Sequence, residues 1–177
     1  MKIFLTVVLM ALLTGCNGMN VQQFENAKLK LSLEQYFAGT THAWGIFEDR
    51  FGQLRRQFRV TIEGRMEGNI LVLDEQFDYA DGEQDRRIWR IKKLDANRYQ
   101  GSADDITGTA AGEIAGNALH WRYQMNLAVG DRSYRVHFDD WMWLQPGGVM
   151  INRATVSKWG IKLGTVTLFF SKQDHPL

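Results

Sequence analysis

Asn117-Ala118-Leu119-His120-Trp121-Arg122-Tyr123-Gln124-Met125-Asn126-Leu127 alternates apolar and polar residues almost without fault. Leu119, Trp121, Tyr123, Met125 and Leu127 fall on one side of an extended chain, and His120, Arg122, Gln124 and Asn126 on the other. A period of two is the mark of a strand with one face in a core and one in water. The same pattern recurs outward from this stretch. Phe58, Val60, Ile62 and Met66 share a face within 56–67, Leu71, Leu73, Phe77 and Tyr79 within 70–79, and Trp89 and Ile91 within 87–95. Further runs cover 132–144, 149–158 and 161–171, and turn signals separate them at Gly68-Asn69, Asp81-Gly82, Gly116-Asn117, Gly130-Asp131 and Pro146-Gly147-Gly148. No stretch after residue 40 carries a helical period. Residues 107–116, rich in glycine and alanine, read as a small-residue strand at a sharp bend or close crossing.

Eight to ten consecutive strands joined by short turns form a meander, and closing it into a barrel removes its two unpaired edges. The expectation is an all-β protein: one antiparallel up-and-down barrel of the calycin or lipocalin kind, preceded by a short helix or turn. The analogy is architectural, because Gly39 stands five residues before Trp44 rather than the two of the lipocalin signature. Outward faces bearing Arg, Glu, Gln and Asn exclude a lipid-facing porin pattern. For residues 29–38 two readings stand side by side. Ser32-Leu33-Glu34-Gln35 has capping-box spacing with Gly39 as a stop, and Leu29, Leu31 and Leu33 alternate as in a strand.

The chain has 177 residues, the size of one domain, with 45% hydrophobic and 23% charged residues. That balance excludes a disordered chain, and a net charge of +1 gives no basic excess for nucleic acid. Met1-Lys2 followed by the apolar run Ile3–Leu13 is a signal-peptide core, too short at about 16 Å to cross a bilayer. It ends in Leu13-Thr14-Gly15-Cys16, which resembles the lipobox of bacterial lipoproteins and holds the chain's only cysteine. The expected organisation is a lipoprotein signal over 1–15, a lipidated N-terminus and tether over 16–28, and the barrel over 29–177. Asn17 after the cysteine favours the outer membrane under the sorting rule of that class. Cleavage would remove Lys2 and no other charge, leaving 20 basic and 20 acidic residues. Membrane attachment would therefore rest on the acyl chains of Cys16, facing the periplasm.

Several segments resemble an uncharacterised, domain-of-unknown-function family of Gram-negative bacterial lipoproteins: 36–39 (Tyr-Phe-Ala-Gly), 75–82, 139–144 (Asp-Asp-Trp-Met-Trp-Leu), 151–154 and 158–160 (Lys-Trp-Gly). The resemblance implies a small envelope lipoprotein and transfers no catalytic residue.

His42, His120, His137 and His175 are scattered, no serine has Gly-x-Ser-x-Gly flanks, and no glycine-rich turn opens a helix, so no metal, cofactor or catalytic set is expected. The expected function is binding or carriage of an apolar or amphiphilic, lipid-like molecule inside the barrel. Trp121, Tyr123, Phe138, Asp140, Met142 and Arg153 are the candidate lining. The alternative is a filled barrel serving as a structural or interaction lipoprotein, touching an envelope protein through aromatics such as Trp141 or Trp143. An enzyme acting on lipids ranks behind both. Asp140 breaks the apolar row Tyr134, Val136, Phe138, Met142, Leu144. A two-residue turn at Pro146-Gly147 sets Arg153 opposite it, as a register-fixing ion pair, an anchor for a ligand head group, or an acid–base group.

Overall fold

The computed structural model describes residues 18–129 and 131–174, so Cys16, the signal segment and His175 lie outside the described residues. Ten antiparallel strands follow in order: β1 (Gly39–Asp49), β2 (Leu54–Glu67), β3 (Ile70–Tyr79), β4 (Gln84–Lys93), β5 (Arg98–Ser102), β6 (Ile106–Ala115), β7 (Ala118–Val129), β8 (Arg132–Leu144), β9 (Met150–Lys158) and β10 (Ile161–Ser171). Each pairs with its neighbour in sequence, and β1 pairs with β10 to close the barrel. The ladder leaves no edge strand, as the alternating pattern implied. Among the described residues, no helix is long and apolar enough to cross a membrane.

One end of the barrel is plugged. Helix α1 (Leu33–Tyr36) is a single turn, and the Ser32 hydroxyl accepts from the Gln35 amide at its start. The capping signal therefore prevails over the Leu29–Leu33 alternation. Leu33, Tyr36 and Phe37 are buried, each contributing about 1.5–3 kcal/mol of apolar transfer. Tyr36 donates its hydroxyl to the Gly148 carbonyl at 3.0 Å, pinning the plug to the β8–β9 loop. A Cβ on Gly64 would lie 1.7 Å from the Phe37 carbonyl oxygen, so glycine lets the plug sit directly on β2.

Residues 18–28, read as tether, are not all free. Val21–Phe24 forms a 3-10 turn capped by Asn20. Val21 is buried with Ala115, Ala118 and Trp141 on the outer wall, and Phe24 packs there too. Met19, Val21 and Phe24, scattered among polar residues, give no period, which is why the sequence reads as solvated.

The β8–β9 register corrects the expected pairing. Residues 145–149 form the loop, closed by the Gln145 amide donating to the Val149 carbonyl at 2.7 Å, with Gly147 and Gly148 at φ of 80° and 76°. Leu144 opposes Met150, so Ala154 and not Arg153 opposes Asp140. The pleat then turns Arg153 outward, its guanidinium 5.9 Å from the Trp143 ring centroid. Trp141 is also outward but 6% exposed, covered by the Val21–Phe24 turn and stacked on His120 at 4.0 Å. It is therefore not an exposed contact for a partner.

Candidate ligand site

The inward faces of the strands do not fill the barrel. They leave a cavity of about 560 Å³, open at the end opposite α1 and floored by Leu33 and Phe37. Its walls are mostly apolar: Val60, Ile62 and Leu73 on one side, Met142, Val156 and Leu168 on another. Arg56 and Tyr79 stand at the mouth, guanidinium over ring at 3.6 Å.

Trp121, from β7, lies flat against the wall because the facing strands carry glycine. A Cβ on Gly112 would come within 2.0 Å of its ring and one on Gly101 within 2.6 Å. The Gly-Ala run of β6 thus makes room for an indole, a close crossing of the kind its composition suggested. Trp89 meets Trp121 edge-on at 5.9 Å and Tyr123 at 5.4 Å, and Tyr123 stacks on Phe138 at 4.8 Å.

A belt of polar groups interrupts the apolar wall halfway down. Arg87 of β4 opposes Glu75 of β3 in register. Its Nε and one terminal nitrogen reach Asp105 at 2.9 and 2.8 Å, and its other terminal nitrogen lies 3.8 Å from Glu75. Across the barrel, Asp140 of β8 is 5% exposed. The Asn152 side-chain amide donates to one Asp140 oxygen and to the Trp141 carbonyl at 3.1 Å. The neighbour the sequence assigned to Arg153 is thus Asn152.

Burial governs the titration of these groups. Desolvation pushes Glu75 up to about 7, against the pull of Arg87, with Asp105 adding to the rise. Desolvation likewise pushes Asp140 up to about 7, only partly offset by the Asn152 hydrogen bond. The Tyr123 hydroxyl is held well above its usual range by burial first and by the nearby Asp140 charge second. Arg87, by contrast, stays charged, because Glu75 and Asp105 outweigh its own desolvation.

Of the residues expected to line a pocket, Trp121, Tyr123, Phe138, Asp140 and Met142 stand in this wall and Arg153 does not. Glu75 and Arg87 are not among the candidates that the sequence offers, and Asn152 stands there only beside Arg153, as the residue that a longer β8–β9 loop would bring to Asp140. Glu75 had a readable signal, a carboxylate alone in the row Leu71, Leu73, Phe77, Tyr79. Arg87 shares its row with Trp89 and Ile91 but heads the run 87–95 read from the sequence, where a charge is ordinary, whereas β4 begins three residues earlier, at Gln84. Among the described residues, no three His, Cys or carboxylate groups gather as a metal site.

Residues 10–172 match the family described as protein of unknown function (DUF3833). The chain belongs to that family. No curated protein matches this DUF3833 chain. A solved structure similar to it is an S-type phycobiliprotein lyase, CPES, from Guillardia theta, with a TM-score of 0.55 and 7% identity. The match covers 88% of the DUF3833 chain and 100% of the lyase chain. At that identity the likeness concerns the fold, a lipocalin-like barrel.

Proposed function

We propose that this DUF3833 protein is a lipid-anchored binding protein of the cell envelope that holds an apolar or amphiphilic small molecule in its barrel. The observation that carries the reading is the 560 Å³ cavity, apolar along most of its wall with a few convergent polar groups. Ligand sites have that size and make-up, within about 300–1,000 Å³. A filled barrel would have no such space. The barrel it shares with the phycobiliprotein lyase supports the same reading by analogy of fold alone.

The anchor belongs to the proposal. Cys16, in its lipobox, would carry the acyl chains, with Asn17 directing the protein to the periplasmic face of the outer membrane. Native mass spectrometry of protein purified from its own cells tests the cargo: a discrete, dissociable small-molecule adduct is expected. Empty protein that also fails to take up alkyl probes would overturn the reading. Cys16→Ser should leave the membrane fraction, and persistence there would remove the anchor.

A second reading rests on two side chains near the mouth. Phe51, in the β1–β2 turn, is 72% exposed and Trp159, in the β9–β10 turn, is 85% exposed. Large apolar groups so placed suit a protein partner that receives or supplies the cargo. A photo-cross-linker at position 159 that captures one discrete envelope protein in cells would favour it, and silence would count against it.

A further inference from the structure

The polar belt of the cavity has more acids than bases. Glu75 and Asp140 line the cavity, Asp105 pairs with Arg87, and among the described residues Arg87 is the one strong base in the belt. Arg87 is already committed, with two nitrogens on Asp105 and the third turned to Glu75. Among the described residues, no cation pairs with Asp140. Its neighbours are the neutral Asn152, which reaches one carboxyl oxygen, and the Tyr123 hydroxyl.

Position matters as much as number. Counting strands around the ring, Glu75 on β3 and Asp140 on β8 are five places apart in either direction, the greatest separation ten strands allow. They therefore look at the same cavity from opposing walls. Between them stand the rings of Trp89, Trp121, Tyr123 and Phe138. Aromatic faces with carboxylates behind them are the setting in which proteins hold desolvated organic cations.

We propose that the molecule held in the barrel carries a positively charged nitrogen, of the alkylammonium kind, seated between Glu75 and Asp140 against those rings. This deepens the binding function proposed above and rests on it. A cation there would give Asp140 the counter-charge it lacks and bring the belt closer to neutrality. Burial first, and neighbouring carboxylates second, push both carboxyls up to about 7, the behaviour of acids without a counter-charge of their own. A ligand with a carboxylate end would instead add a fourth acid beside a guanidinium already paired with two carboxylates. A neutral hydroxyl end would gain hydrogen bonds but no charge compensation.

The test uses the full chain and three probes with one tail: dodecylammonium, dodecanol and dodecanoate, titrated against tryptophan fluorescence at pH 7.5. The expected order places dodecylammonium about tenfold or more ahead of dodecanol, with dodecanoate last. Asp140→Asn and Glu75→Gln should each cut the dodecylammonium-to-dodecanol affinity ratio to about threefold or less, with an unchanged near-ultraviolet circular dichroism spectrum showing that the variants are folded. Dodecanoate binding as tightly as dodecylammonium, or an ammonium preference untouched by both substitutions, would overturn the cation assignment while leaving a binding barrel intact. Failure of all three probes would overturn the binding function itself, and the cation with it.

Discussion

Replacing Asp140 by Asn should make the protein more stable, by an amount that depends on pH. The carboxyl has its ordinary value of 3.8 in the unfolded chain, and burial pushes it up to about 7 in the folded one. Between those values the folded protein binds more protons than the unfolded chain, so stability falls as pH rises through that window and levels off above it. The difference of about three pH units corresponds to roughly 4 kcal/mol at pH 8, at 1.36 kcal/mol per unit. At pH 5 only the first unit or so of the window has been crossed, and the cost is about 1.5–2 kcal/mol. Asparagine keeps an oxygen to accept from Asn152 and never ionises. Urea unfolding of both proteins should therefore show a gain for Asp140→Asn that is largest at pH 8, smaller at pH 5 and nearly absent at pH 3. The variant keeps the residual slope due to Glu75, whose shift has the same sign. A variant less stable than wild type at pH 8, or a gain of equal size at all three pH values, would refute the burial argument.

Arg87→Met should cost about 3–5 kcal/mol at pH 7, because it leaves Asp105 and Glu75 facing each other without their cation; chemical denaturation measures it. Gly112→Ala should drive the Trp121 ring off the wall, costing about 1–3 kcal/mol and changing the near-ultraviolet circular dichroism, since its Cβ has no space beside the indole. Trp159→Asn should stabilise by about 1 kcal/mol, read as a higher melting temperature. Trp159 sits at φ 52° before Gly160, a conformation asparagine adopts more easily.

The barrel was legible because each strand needs one dry face, and Leu119 to Leu127 show that face residue by residue. Glycine pairs marked most of the hairpins for the same reason: Gly68-Asn69 and Gly116-Asn117 stand where the chain must turn left-handed. The polar belt was half legible. Asp140 and Glu75 each stand alone in an apolar row, which alternation exposes at once. Their partners were hidden, because partnership across strands depends on loop length. One residue more in the β8–β9 loop than a two-residue hairpin implies exchanged Arg153 for Asn152 at the cavity face. The helical turn of α1 was legible in its capping box, whereas its seat in the barrel and the Val21–Phe24 turn escaped for another reason. Their order comes from packing on a barrel that must already exist, and a single helical turn has little intrinsic stability of its own to write into a sequence.

The Val21–Phe24 turn has a mechanical consequence. Val21 is fastened beside Ala115 and Ala118, at the plugged end of the barrel. Four residues, Asn17 to Asn20, separate it from Cys16, a leash of about 18 Å at full stretch. Strand β7 runs from that end toward the mouth over 12 residues, roughly 40 Å along the strand and about 30 Å along a barrel axis tilted at 40° to it. Held by lipid at Cys16, the protein would stand on the bilayer like a cup on its base, its opening turned away from the leaflet that carries it. On the proposed anchor, such a cup would not fill by dipping into its own membrane. Its contents would have to arrive from, or leave toward, a body on the far side, so loading would depend on what can reach the mouth and not on what dissolves in the anchoring leaflet.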